Sequence, residues 1–170
     1  MKKLLALLTI FSLLFAVAGC SSKKEETTNK GTEEKAAGLT DTVKSKMYNS
    51  VRVAELKVNE VFHKETAGDG EIPIINGSFA EDNKAVEFLS KYYSEEVAKD
   101  IYAHYATVKK TAEGQMIINA EPYFTPSFLE TSQQDVTIEG DEKKATIKSA
   151  GMTYHVELKD GQYIITSVEK

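Results

Sequence analysis

Val43, Met47, Val51, Ala54, Val58 and Val61 recur at steps of three and four residues. That spacing predicts an amphipathic helix of roughly five turns. Asp41 is placed to cap its start, and His63 and Lys64 to fall in its last turn, where positive charge suits the helix dipole. Residues 65–77 carry Gly68, Asp69, Gly70, Pro73, Asn76 and Gly77, a composition that predicts a loop. Ser78-Phe79-Ala80-Glu81 fits a capping box for a second helix running to Tyr93, with Ala85, Phe88, Leu89 and Tyr92 on one side. Ser94 is expected to cap a third helix. Glu95 and Glu96 lie in its first turn, and Val97, Ile101, Tyr105 and Val108 form its apolar stripe.

The period changes after Gly114. Met116, Ile117 and Ile118 predict a short strand, and Pro122 and Pro126 bracket a loop that carries Tyr123 and Phe124. Val136-Thr137-Ile138 and Ala145-Thr146-Ile147 read as strands joined by Gly140-Asp141-Glu142-Lys143. Met152, Tyr154, Val156 and Leu158 alternate with Thr153, His155, Glu157 and Lys159, then Asp160-Gly161 signals a hairpin turn before Tyr163, Ile164, Ile165 and Val168. Helices first and antiparallel strands second predict an α+β domain. The helices are expected to cover the concave face of a curved sheet.

The ending Leu158-Lys159-Asp160-Gly161-Gln162-Tyr163-Ile164-Ile165-Thr166-Ser167-Val168 resembles the last hairpin of the NTF2-like cone domains. The resemblance covers residues 79–170 and implies a small extracytoplasmic domain with a concave binding face. The order of helices before a sheet is also similar to that of small Gram-positive cell-wall endopeptidase inhibitors, a resemblance that carries no inhibitory residue onto this chain.

The chain opens with Met1-Lys2-Lys3 and an apolar run from Leu4 to Val17. The run has the length of a signal-peptide core and is short for a membrane span of ~20 residues. Val17-Ala18-Gly19-Cys20 resembles the lipobox of bacterial lipoproteins, which implies cleavage between Gly19 and Cys20 and a diacylglyceryl group on the Cys20 thiol. Cys20 is the single cysteine, so no intramolecular disulfide competes for it. Two acyl chains suffice for stable anchoring at ~0.8 kcal/mol per buried methylene. The expected partner is therefore membrane lipid, at the extracytoplasmic face of the cell membrane.

Residues 20–40 after the signal peptide (1–19) have no hydrophobic period and predict a disordered charged tether with a reach of roughly 25 Å. Residues 41–170 remain as one domain, large enough to bury a core without disulfides or metals. Without Lys2 and Lys3 the exported part holds 19 basic against 26 acidic residues, a net charge of −7 that disfavours nucleic acid and anionic lipid headgroups as partners. Arg52 is the only arginine, a bias expected of an AT-rich, low-GC Gram-positive host.

Candidate chemistry is sparse. His63, His104 and His155 show no metal-ligand spacing, so no metal or cofactor is expected. His104, beside Ile101 and Tyr105, is the one candidate general base, and its structural alternative is a helix-face histidine at the edge of the core. Asp69-Gly70-Glu71 lacks the ligand pattern of a calcium loop, and Glu95-Glu96 with Asp100 reads as helix-start charge. Tyr92, Tyr93, Tyr102, His104, Tyr105, Tyr123, Phe124 and Phe128 cluster in the middle of the chain and could line one pocket, the alternative being a core. The expectation is a non-enzymatic binding domain for an envelope protein or a small apolar ligand. A modulator of a cell-wall hydrolase is the second reading, and an NTF2-like enzyme the third.

Overall fold

Thr40, rather than Asp41, caps the first helix: its backbone is extended and its hydroxyl accepts the Val43 N–H. Asp41 instead supplies the acid of the first turn. The computed structural model describes residues 38–170. The expected signal peptide, Cys20 and the tether up to residue 37 lie outside the described residues.

Helix α1 (Asp41–Phe62) buries Met47, Val51, Ala54, Val58 and Val61 of the predicted stripe, leaves Val43 half-buried, and adds Tyr48, Glu55 and Phe62. It stops at Phe62. The His63 N–H closes the end by donating to the Asn59 carbonyl at 2.8 Å, so His63 and Lys64 do not form the last turn.

Residues 65–77, expected as loop, contain a small hairpin, β1 (Glu65–Ala67) and β2 (Ile72–Ile74). Its support comes from far along the chain. Ile74 bridges to Ile117, the Ile75 N–H donates to the Met116 carbonyl, and the Ile118 N–H donates to the Pro73 carbonyl. The strand expected at 116–118 is thereby reduced to isolated bridges.

Ser78 lies in a 3-10 turn (Gly77–Phe79), with its N–H held by the Asn76 side chain, so it forms no capping box. Helix α2 (Asp82–Leu89) follows Glu81 without a side-chain cap and ends before Tyr93. The chain leaves the helix there because Tyr92–Ser94 pairs with a strand: the Ile165 N–H donates to the Tyr92 carbonyl, and the Ser94 N–H to the Ile165 carbonyl. Helix α3 (Glu95–Tyr105) is capped by the Ser94 hydroxyl, as expected. Val108 lies past its end and is 98% exposed. The Thr107 hydroxyl donates to the Ile117 carbonyl and accepts the Lys109 N–H, which turns the chain away.

Strands β3 (Thr137–Gly140), β4 (Lys144–Ser149), β5 (Met152–Lys159) and β6 (Gln162–Glu169) form an antiparallel meander in chain order. The domain is therefore α+β. Asp160 and Gly161 both have positive φ, 49° and 81°, as a type I′ hairpin turn requires. Met152, Tyr154 and Val156 face inward, and Leu158 is partly exposed at the hairpin tip. A bulge opposite His155/Val156 leaves Thr166 without a strand partner.

The inner face of the sheet (Ala145, Ile147, Met152, Tyr154, Val156, Ile165) packs with α1, α3 and a 3-10 turn at Phe128–Glu130. Phe128 fills the space between Tyr48 of α1 and Tyr154 of β5, with ring centroids 5.3 and 5.2 Å away. Burying such a side chain contributes about 2–3 kcal/mol.

Candidate functional site

Tyr48, Arg52 and Glu55 follow one another along a single face of α1, and all three hold the segment 127–131. The Tyr48 hydroxyl donates to the Thr131 carbonyl at 2.6 Å, and Arg52 Nη1 donates to the Leu129 carbonyl at 2.9 Å. The Glu55 carboxylate accepts the Phe128 N–H at 2.9 Å and the Ser127 hydroxyl. Three side chains thus clamp this 3-10 segment and supply partners for the Phe128 N–H and the Leu129 and Thr131 carbonyls.

Glu55 is only 5% exposed. Burial raises its carboxyl above the ordinary carboxylate range, against the opposing pull of Ser127, Phe128 and the Arg52 charge. It makes no ion pair within 4 Å among the described residues. The Tyr93, Tyr105 and Tyr154 hydroxyls are held protonated to high pH, first by burial, with the Glu55 charge adding to the effect on each. Two of these buried hydroxyls, on Tyr93 and Tyr154, have no hydrogen-bond partner among the described residues. Natural proteins leave few such groups orphaned.

Asn59 lies on the next turn of the same helix, and His63 caps its C-terminal end. Together with Glu55 they form one wall of an open cleft of about 360 Å³; Tyr105, Pro122, Phe124 and Ser127 form the other. The second wall is built around Tyr105. Its carbonyl accepts the Asn119 N–H, and its hydroxyl accepts the Tyr123 N–H at 2.8 Å. Asn119 ties the segment down further by donating to the His104 carbonyl, and the Thr125–Pro126 peptide bond is cis. His63 Nε2 lies 3.0 Å from the Tyr105 hydroxyl. Burial lowers the His63 pKa, which favours a neutral ring that can accept the tyrosine proton at Nε2.

The eight residues grouped by sequence do not surround one cavity. Tyr105 and Phe124 reach the cleft. Tyr93 and Phe128 are core residues behind it. Tyr92 packs edge-on against Phe88, Tyr102 packs against Phe62, and Tyr123 lies beneath the Lys170 ammonium at 4.2 Å. His104 donates from Nε2 to the Glu121 carbonyl at 2.7 Å and does not line the cleft. His155 lies between Thr146 and Glu169 on the other face of the sheet. Asp69-Gly70-Glu71 occupies the β1–β2 turn, and Glu95 pairs with Lys99 at 2.6 Å.

None of Glu55, Asn59, His63 and Ser127 is expected from sequence as a site residue; His63 is read there only as a helix-end charge and a histidine without metal-ligand spacing. Glu55 did leave a signal, a carboxylate one helical turn from both Val51 and Val58 inside an apolar stripe. The partners Ser127 and Phe128 are too distant in sequence for any local pattern to supply. A larger groove, about 480 Å³, lies between α1 and the turns at Glu142 and Gly161. Its lining contains no buried carboxylate or histidine, so the Glu55 cleft is the stronger candidate. Among the described residues no group of three His, Cys, Asp or Glu side chains could hold a metal ion, and no helix is long and apolar enough to cross a membrane.

No protein-family model, curated protein or solved structure matches this chain.

Proposed function

We propose that the protein is a lipid-anchored, extracytoplasmic binding domain whose ligand enters the cleft between α1 and segment 119–127. The observation that carries the binding half of this reading is the cleft itself. It joins a buried carboxylate, the amide of Asn59 and a histidine to an aromatic wall. Mostly apolar walls with a few placed polar groups are what small-molecule sites use for affinity and orientation. The mixed character moves the expected ligand from purely apolar toward amphipathic.

The anchor half rests on Val17-Ala18-Gly19-Cys20 and on the charged, aperiodic stretch behind it. The helix-first order and the hairpin at Asp160-Gly161 support an NTF2-like reading of the fold. No catalytic step is assigned: binding and orientation account for the cleft without one.

Cys20→Ala tests the anchor. The variant should leave the membrane fraction after a carbonate wash, whereas retention equal to wild type contradicts lipid anchoring. Asn59→Trp tests the cleft by filling it. Ligand protection against heat, measured with envelope extract, should disappear in that variant and persist in a substitution at exposed Val108.

A further inference from the structure

The Glu55 end of the cleft is rich in oxygen and poor in cations. Each carboxylate oxygen accepts one hydrogen bond, from Ser127 or from the Phe128 N–H, which leaves acceptor capacity on both. Arg52 is the cation whose charge acts on this carboxylate, but its Nη1 donates to the Leu129 carbonyl and the Tyr48 hydroxyl, and it forms no ion pair with Glu55 within 4 Å. Ser127 and the Tyr105 hydroxyl bring further oxygens to the same cleft. A buried charge is ordinarily paired, and among the described residues no cation lies within 4 Å of Glu55.

A solvent-borne cation answers that arrangement. A bare metal ion is a poor fit, because one carboxylate among neutral hydroxyls offers little charge. An organic ammonium fits better. Its N–H donors match the open acceptor sites of the Glu55 carboxylate, and its carbon body would lie against the rings of Tyr105 and Phe124. The volume of about 360 Å³ admits a body of this kind. Asn59 lies one turn farther along α1 and His63 just past its end, so the far end of the cleft is ~12 Å away, within reach of a second polar group on the same ligand.

We propose that this cleft binds the primary ammonium group of a small organic amine, with the Glu55 carboxylate as counter-ion. The proposal rests on the cleft being the binding site and names the class of ligand it takes.

The test uses the full chain in detergent micelles and three probes of matched shape: benzylammonium, benzyl alcohol and benzoate. Backbone amide shifts report where each probe binds. Benzylammonium should saturate shifts at Glu55, Asn59 and Phe128, with an affinity about tenfold or more above either match, the margin of a charge-assisted hydrogen bond. Glu55→Gln, which keeps a partner for both Ser127 and Phe128, should abolish that margin. Equal binding of the alcohol or benzoate in the cleft would overturn the amine assignment and leave the cleft reading standing. No cleft shift with any probe would overturn both. An unchanged benzylammonium affinity in Glu55→Gln would remove Glu55 as counter-ion.

Discussion

Glu55 makes the cost of burying a charge measurable. Glu55→Ala strands the Ser127 hydroxyl and the Phe128 N–H, and should cost about 1–3 kcal/mol in denaturant unfolding. Glu55→Gln should stay within about 1 kcal/mol of wild type at neutral pH, since an amide can accept from Phe128 and donate to Ser127. The pH dependence separates Glu55 from His63. The folded-state pKa of Glu55 is raised above 4.5, so the stability added by its proton is full below 4.5 and is lost as pH rises through the raised value. His63 has the opposite sign. Its folded-state pKa is lowered from 6.5, so its stability contribution is present above 6.5 and is lost as pH falls through the lowered value. Urea midpoints measured across this range should lose the first slope in Glu55→Gln and the second in His63→Gln. A profile identical to wild type in both variants would contradict the burial assigned to them. Tyr93→Phe should leave stability unchanged or raise it, because the lost hydroxyl has no partner.

At the scale of elements, legibility followed the range of the contacts that hold each one. The α1 stripe, the Ser94 cap and the Asp160-Gly161 turn are set by residues a few positions apart, and a single stretch of sequence displays them. The β1–β2 hairpin was hidden because its turn residues look like loop, while its support at Ile117 is remote. The end of α2 was misplaced for a similar reason. Only the pairing of Tyr92–Ser94 with Ile165 takes Tyr93 out of the helix, and this contact also covers the β6 edge. Two glycines distinguish turn conformation from crowding. At Gly161 an added Cβ meets nothing within 4 Å, and Gly161→Ala should cost only the ~1 kcal/mol of a left-handed alanine. At Gly140, φ is 133° and a Cβ would lie 2.3 Å from the Lys144 carbonyl oxygen and 2.8 Å from the Ala145 Cα. Gly140→Ala should therefore cost more than Gly161→Ala, read as a larger fall in the urea midpoint. The reverse order would contradict the close approach of β3 to β4.

At the scale of the whole molecule, sequence and structure illuminate different halves of the account. Cys20 and the stretch after it are local motifs, complete in the chain as written. The cleft is assembled from α1, the end of α3 and a loop near residue 125, so no short motif contains it. The aromatic residues drew attention from sequence because they are conspicuous. Folding places Tyr93 and Phe128 in the core, and leaves the less conspicuous Asn59 and His63 on the cleft wall. An anchored domain with such a cleft should carry two attachments at once, one covalent and one not. Native mass spectrometry of the protein taken from its own membranes tests both together. The account predicts a chain beginning at a diacylglyceryl Cys20, with a non-covalent small-molecule adduct that Asn59→Trp lacks. An unmodified Cys20, or the same adduct in wild type and Asn59→Trp, would contradict it.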